Sequence, residues 1–111
     1  HPAPAPKPTP KPKAPPKPTP KAAAKVNPAE LVARGWDQVD DDPGAALTLF
    51  DQAARANPSL AEPHYGRGYA LVRLSRKDEA VAAYCKAIGL GDSILRREIR
   101  SVMQQNGLVC P

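Results

Sequence analysis

The sequence is poor in histidine, cysteine and aromatic residues, and the scarcities close off whole classes of function. Two histidines, His1 and His64, stand far apart in a chain with no Cys-x-x-Cys pair, so no zinc-ligand spacing is present. No Ser-His-acid or Cys-His arrangement has a recognisable spacing, and no glycine-rich phosphate loop occurs. Asp40-Asp41-Asp42 lacks the alternate spacing and closing Glu of a calcium loop. It reads as a solvated turn that places negative charge before a helix. These absences predict no enzyme, no cofactor, no metal and no small-molecule substrate. A run of about 18 apolar residues is also missing, so no membrane-spanning helix is expected. No signal peptide is recognisable. The sequence opens on His1, and an upstream segment of a larger parent chain, with room for a signal or anchor, is expected.

Residues 1–26 lack both acids and large apolar side chains, Val26 excepted. They hold six lysines (Lys7, Lys11, Lys13, Lys17, Lys21, Lys25), and ten prolines fall within residues 1–20. Proline fixes φ and removes a donor, and nothing here can be buried, so a disordered, extended Pro/Ala/Lys-rich linker is expected. At about 3.1 Å per residue such an arm spans roughly 80 Å. Three roles fit it: a solvated spacer, a weak and salt-sensitive contact with a polyanion (DNA, anionic lipid or wall polymer), or a docking motif for a proline-recognising surface. In composition it resembles the periplasm-spanning arm of TonB-type proteins and, more faintly, linker-histone tails. Residues 27–111 hold 10 Lys+Arg against 11 Asp+Glu. The basic pI therefore belongs to the arm, and a basic fold surface of the kind that grips nucleic acid is not indicated.

Beyond the arm the sequence repeats itself. Arg34-Gly35-Trp36 returns 33 residues later as Arg67-Gly68-Tyr69, and Ala46, Phe50 and Ala53 return 34 residues later as Ala80, Tyr84 and Ala87. The change of offset predicts one extra residue in the second inter-helix turn, between Val72 and Ala80. Helix signals follow the same division. Asn27-Pro28 and Asp42-Pro43 pair an N-cap with a proline at the first helical position. Ser59-Leu60-Ala61-Glu62 has capping-box spacing before a third helix, and Ser75-Arg76-Lys77-Asp78 is a looser version before a fourth. Gly89 and Gly91 are expected to end the fourth helix, Asp92 to cap a fifth running to about Gln105, and Gly107 to stop it. Leu95, Ile99, Val102 and Met103 form one apolar stripe on that helix, with Arg96, Arg97, Arg100 and Gln104 facing away.

This pattern resembles the tetratricopeptide repeat over residues 27–91, with Ala46, Phe50, Ala53 and Pro58 in one unit and Gly68, Ala80, Tyr84 and Ala87 in the next. Gly91-Asp92 stands where the family has its closing proline. The resemblance implies an all-α fold of two helix-turn-helix units, 27–58 and 59–91, followed by a capping helix and tail over 92–111. It also implies a partner: another protein, held as a peptide or helix segment in a concave groove. Phased on the matched glycines, the groove residues would be Val32, Trp36 and Val39 in the first unit and Tyr65, Tyr69, Val72 and Arg73 in the second. The competing reading packs Trp36 into the core. With Arg73 beside the strip, the expected ligand has one or two large apolar anchors and a nearby acid. The chaperone-binding members of the family use a clamp of Lys and Asn that this face lacks.

Cys85 follows Tyr84 on the fourth helix, and Cys110 lies just past the fifth. If the tail folds back after Gly107, the two sulfurs meet in a disulfide; otherwise they are two unrelated thiols. The Lys-Pro arm and the placeable cysteine pair favour an extracytoplasmic setting, periplasm or cell envelope, in a larger bacterial protein, over a cytoplasmic one. The alternative function is a structural anchor whose basic arm holds DNA, anionic lipid or wall polymer.

Overall fold

The computed structural model describes residues 27–111; the linker expected over residues 1–26 lies outside the described residues. Five helices follow one another: α1 (Pro28–Gln38), α2 (Pro43–Ala56), α3 (Ala61–Arg73), α4 (Lys77–Leu90) and α5 (Ser93–Gln105). The fold is all-α, with no strand among the described residues. None of these helices is long and apolar enough to cross a membrane.

Three helices start where their caps predict. Asn27 Oδ1 accepts the Ala29 N–H at 2.9 Å, Asp42 Oδ1 accepts that of Ala45 at 3.1 Å, and Asp92 Oδ1 accepts that of Leu95 at 2.8 Å. Each satisfies a donor that the first turn leaves without an intrahelical partner.

The two serine caps are corrected. α3 begins after Leu60 with no side-chain cap, and Ser59 lies in a turn where its N–H donates to Asn57 Oδ1 at 3.1 Å. α4 begins after Arg76, again uncapped by a side chain. Ser75 instead closes α3, with φ of 62°, its N–H on Val72 O at 2.9 Å and the Arg76 N–H on Leu71 O at 2.8 Å. That pair of bonds is the Schellman motif, with serine where glycine is usual. The extra residue of the second repeat is also relocated. α3 has 13 residues against 11 in α1 while its turn, residues 74–76, is one shorter than residues 39–42, so the net extra residue falls at the end of the helix. Gly89 lies inside α4, which ends at Leu90 with the Gly91 N–H on Ala87 O at 2.8 Å.

Helices α1 and α2 form one hairpin and α3 and α4 another, with α3 packed on α2 and α5 on α4. Short turns make consecutive helices antiparallel, so α1, α3 and α5 run the same way along one side. Phe50 and Tyr84, both fully buried, fill the seams. A Cβ on Gly35 would sit 2.7 Å from the Phe50 ring, one on Gly66 would overlap that ring, and one on Gly68 would lie 2.5 Å from Tyr84. Glycine is needed at all three for the helices to close on the aromatic rings. Arg67 on α3 pairs with Asp51 on α2 and adds a polar tie across the same seam.

α5 covers the second hairpin with Ile99 and Met103 buried and Leu95 and Val102 half-buried, while Arg97, Arg100 and Gln104 face solvent. Arg96 departs from the expected phasing. It is half-buried and donates from Nη1 to Gly91 O at 3.0 Å. After α5 the backbone turns at Gly107, whose φ is 71°. The Leu108 N–H returns to Met103 O at 2.8 Å and the Gly107 N–H to Gln104 O at 3.1 Å, a second Schellman motif. Leu108 is thereby buried against the second core cluster. Two residues on, Cys110 meets Cys85 of α4, the sulfurs lying at disulfide distance, 2.05 Å, and the Cα atoms 5.8 Å apart.

Candidate functional site

The shared side of α1, α3 and α5 gathers most of the aromatic residues. Trp36 of α1 meets Phe50, Tyr65 and Tyr69 edge-on, with ring centroids 5.2, 5.2 and 5.3 Å away. Edge-to-face contacts at this spacing are favourable beyond simple burial. Tyr65 leans further, toward Tyr84, at 6.1 Å. Its hydroxyl donates to Glu98 Oε2 of α5 at 3.1 Å, which joins the third helix to the fifth. Burial, and then the charge and hydrogen bond of Glu98, raise the phenol pKa well above its ordinary value of 10.0. Tyr65 therefore stays a protonated donor.

The seven residues expected to line a groove divide into two groups. Val32, Val39 and Tyr65 are core residues, 5%, 3% and 8% exposed, and offer a partner almost no surface. Val32 and Val39 fill the first core cluster with Phe50, and Tyr65 belongs to the second with Tyr84 and Ile99. The physical reason is packing within and beyond each hairpin: Val32 and Val39 lie against Ala46, Leu49 and Phe50 of α2, and Tyr65 lies against Tyr84 of α4 and Ile99 of α5. Trp36, Tyr69 and Val72 remain half-buried, packed beneath and open above, and Arg73 is exposed. Trp36 thus does both things weighed for it: it touches both core clusters and keeps part of its ring in solvent.

Arg73 is not a free anion receptor. Its Nη1 lies 3.0 Å from Asp40 Oδ1, and its Nη2 donates to Asp40 O at 3.3 Å. This exposed pair ties the C-terminal end of α3 to the turn of the first hairpin.

Two concavities open on this side. One, of about 220 Å³, is lined by Trp36, Glu62, Tyr65, Leu95 and Glu98. The other, of about 320 Å³, is lined by residues including Tyr69, Val72, Arg73, Val102 and Gln105. Glu62, Leu95, Glu98 and Val102 were absent from the expected set. Glu62 stands three residues before Tyr65 on the same helix, a spacing that placed it near the strip. Leu95 and Val102 read in the sequence only as the apolar stripe of a cap, Glu98 carries no signal there, and nothing in the repeat pattern shows that the cap also walls the aromatic face.

No group of three or more His, Cys, Asp or Glu is placed to hold a metal among the described residues. His64 is half-buried, with Nε2 lacking a partner. Burial first, and the positive charge of Lys86 second, lower its pKa below 6.5. Compared with protein-family models, curated proteins and solved structures, the chain matches none.

Proposed function

We propose that residues 27–111 are a protein-interaction module of tetratricopeptide type, held on the Lys-Pro arm of a larger bacterial envelope protein. The side of α1, α3 and α5 takes a peptide or helix of a partner. The observation that carries this reading is the half-exposed pair Trp36 and Tyr69, packed on the buried rings of Tyr65 and Phe50 and bordered by two concavities. Rigid, half-exposed aromatic rings bind at low entropic cost and are enriched in binding hot spots. The Cys85–Cys110 pair at disulfide distance supports an oxidising compartment. No feature of the site supports catalysis.

The test uses the full chain as bait in an envelope fraction, beside a Tyr69→Ala variant. Tyr69 is half-buried, so its loss should weaken partner binding by about 2 kcal/mol. Its cost in stability should be smaller than that of removing a fully buried ring. Normal binding by both Tyr69→Ala and Trp36→Ala would remove the aromatic face from consideration.

A second reading has its own support. The outer side of α5 forms a concavity of about 440 Å³ lined by Arg96, Arg97, Arg100, Ser93, Ser101 and Gln104. These arginines and the six lysines of the arm are two sources of positive charge for a polyanion, in the manner of a structural anchor. A salt titration against DNA and anionic vesicles separates this reading from the first.

A further inference from the structure

The smaller concavity on the aromatic face has a definite chemical character. Its ionisable lining consists of two carboxylates, Glu62 and Glu98, and the phenol of Tyr65, with no cation among its residues. The remainder is the indole of Trp36 and the side chain of Leu95. Aromatic faces flanked by carboxylates suit a cationic side chain, which gains both cation–π and ion-pair contact. The same aromatic faces suit proline rings, which pack on Trp and Tyr with little conformational entropy to lose. The ligand this chemistry selects is a lysine in a proline-rich, extended segment.

Such a segment belongs to this chain. Residues 1–26 carry six lysines, ten prolines and no acid. The first hairpin with its following turn, residues 27–60, carries six acids (Glu30, Asp37, Asp40, Asp41, Asp42, Asp51) against Arg34 and Arg55. The point of attachment also fits. The arm joins α1 at Asn27, and Glu62 lies in the first turn of α3, while Leu95 and Glu98 lie in the first two turns of α5. Trp36, in the last turn of α1, completes the lining, so the arm must run back along α1 to reach it. Trp36 is nine residues past Asn27, roughly 13 Å along a helix. Lys21 and Lys17 are six and ten residues before Asn27, roughly 19 and 31 Å of extended chain. Residues 21–26 contain no proline, so no fixed φ in the sequence opposes a reversal there.

We infer that residues 1–26 dock in cis on the aromatic face of the same chain, with Lys17 or Lys21 seated between Glu62 and Glu98 over Trp36. The inference rests on the interaction face proposed above and deepens it. A partner segment must displace the arm, so the arm acts as a tethered competitor whose effective concentration is in the millimolar range. The face then selects partners that outbid a Lys-Pro segment.

Trp36 is the sole tryptophan of the chain, so its indole N–H gives one proton resonance that reports the concavity directly. The experiment compares the full chain with a full-length variant in which Lys7, Lys11, Lys13, Lys17, Lys21 and Lys25 are all replaced by Gln. At about 20 mM salt the two resonances should differ, and at about 500 mM, where exposed charges are screened, they should coincide. The low-salt difference should not depend on protein concentration. A peptide of residues 1–26 added to the arm-substituted variant should move its resonance toward the wild-type position. In the arm-substituted chain carrying E62Q or E62Q/E98Q, the peptide should bind about fivefold more weakly or worse, as loss of exposed ion pairs predicts. E62Q alone preserves the Tyr65–Glu98 hydrogen bond, and circular dichroism checks that each variant is folded.

Identical low-salt resonances in the wild type and the arm-substituted chain would overturn the inference. So would a concentration-dependent difference, which assigns the arm to a second copy, or peptide binding indifferent to both Glu substitutions. The interaction face stands or falls separately. If a captured partner segment moves the Trp36 resonance while the arm does not, only the arm's role is lost; if neither moves it, the face itself is abandoned.

Discussion

The first hairpin sets Phe50 against glycines of two helices, Gly35 of α1 and Gly66 of α3, whereas the second sets Tyr84 against one, Gly68. Beyond Tyr84 the neighbour is α5, which presents Ile99 and Met103. The first seam is thus a ring clamped between backbones, and the second is a ring among side chains. A hydroxyl separates them further. Tyr84 is fully buried, and its hydroxyl has no hydrogen-bond partner. Burial pushes its pKa well above the ordinary 10.0, so the group stays a neutral, unsatisfied donor. The repeat preserves shape at this position more strictly than polarity. The second hairpin also has what the first lacks, a cysteine on α4 paired with Cys110 beyond α5.

Substitutions can break or sharpen this contrast. The largest effect should come from Phe50→Ala, which opens a cavity between two helices that cannot close further, at a cost of about 3–5 kcal/mol in denaturant unfolding. A loss under about 1 kcal/mol would show that Phe50 does not clamp the first seam.

Next in size is the clasp. Linking Cys85 to Cys110 spans 25 residues, which in the chain-entropy model corresponds to about 3.5 kcal/mol and in practice to about 2–4. Reduction should lower the melting temperature, and Cys110→Ser should melt low with or without reductant. Two free thiols in non-reducing mass spectrometry of protein from its own compartment would remove the clasp from the comparison.

The two Schellman turns should respond in opposite directions. Gly107→Ala forces a Cβ into positive φ and should cost about 1 kcal/mol, while Ser75→Gly relieves the same conformation and should gain about 1 kcal/mol. The smallest effect is expected from Tyr84→Phe, which deletes the orphan hydroxyl and makes the second ring match the first. It should leave stability unchanged or raise it by up to about 1 kcal/mol. A clear loss would mean that the hydroxyl has found a partner, water included.

Much of the fold was legible in the sequence because its signals are local and chemical. Asn27, Asp42 and Asp92 cap helices through side chains that reach the next turn, and Pro28 and Pro43 fix where those helices begin. Ser59 and Ser75 misled because spacing says nothing of backbone conformation. Ser75 sits at a position where a turn asks for glycine, and serine carries no mark of it. Gly66 was passed over because its counterpart one repeat earlier is Ala33, an exposed residue that breaks the pattern. The candidate site was legible as a strip of residues and not as a surface. Helical phase places Val32, Val39 and Tyr65 beside Trp36 and Tyr69. It cannot tell which of them the neighbouring helix will bury, nor that Glu98 of α5 will reach Tyr65.

The clasp has a mechanical consequence. A pull on Pro111 reaches the fold through the bond between Cys110 and Cys85, so tension enters at α4, between its neighbours α3 and α5. Helix α5, Gly107 and Leu108 lie on a closed loop to one side of that load path. Under force the oxidised chain would hold its last helix slack and give way elsewhere. The reduced chain would instead peel α5 from the end, one turn at a time, and uncover the wall of the aromatic face.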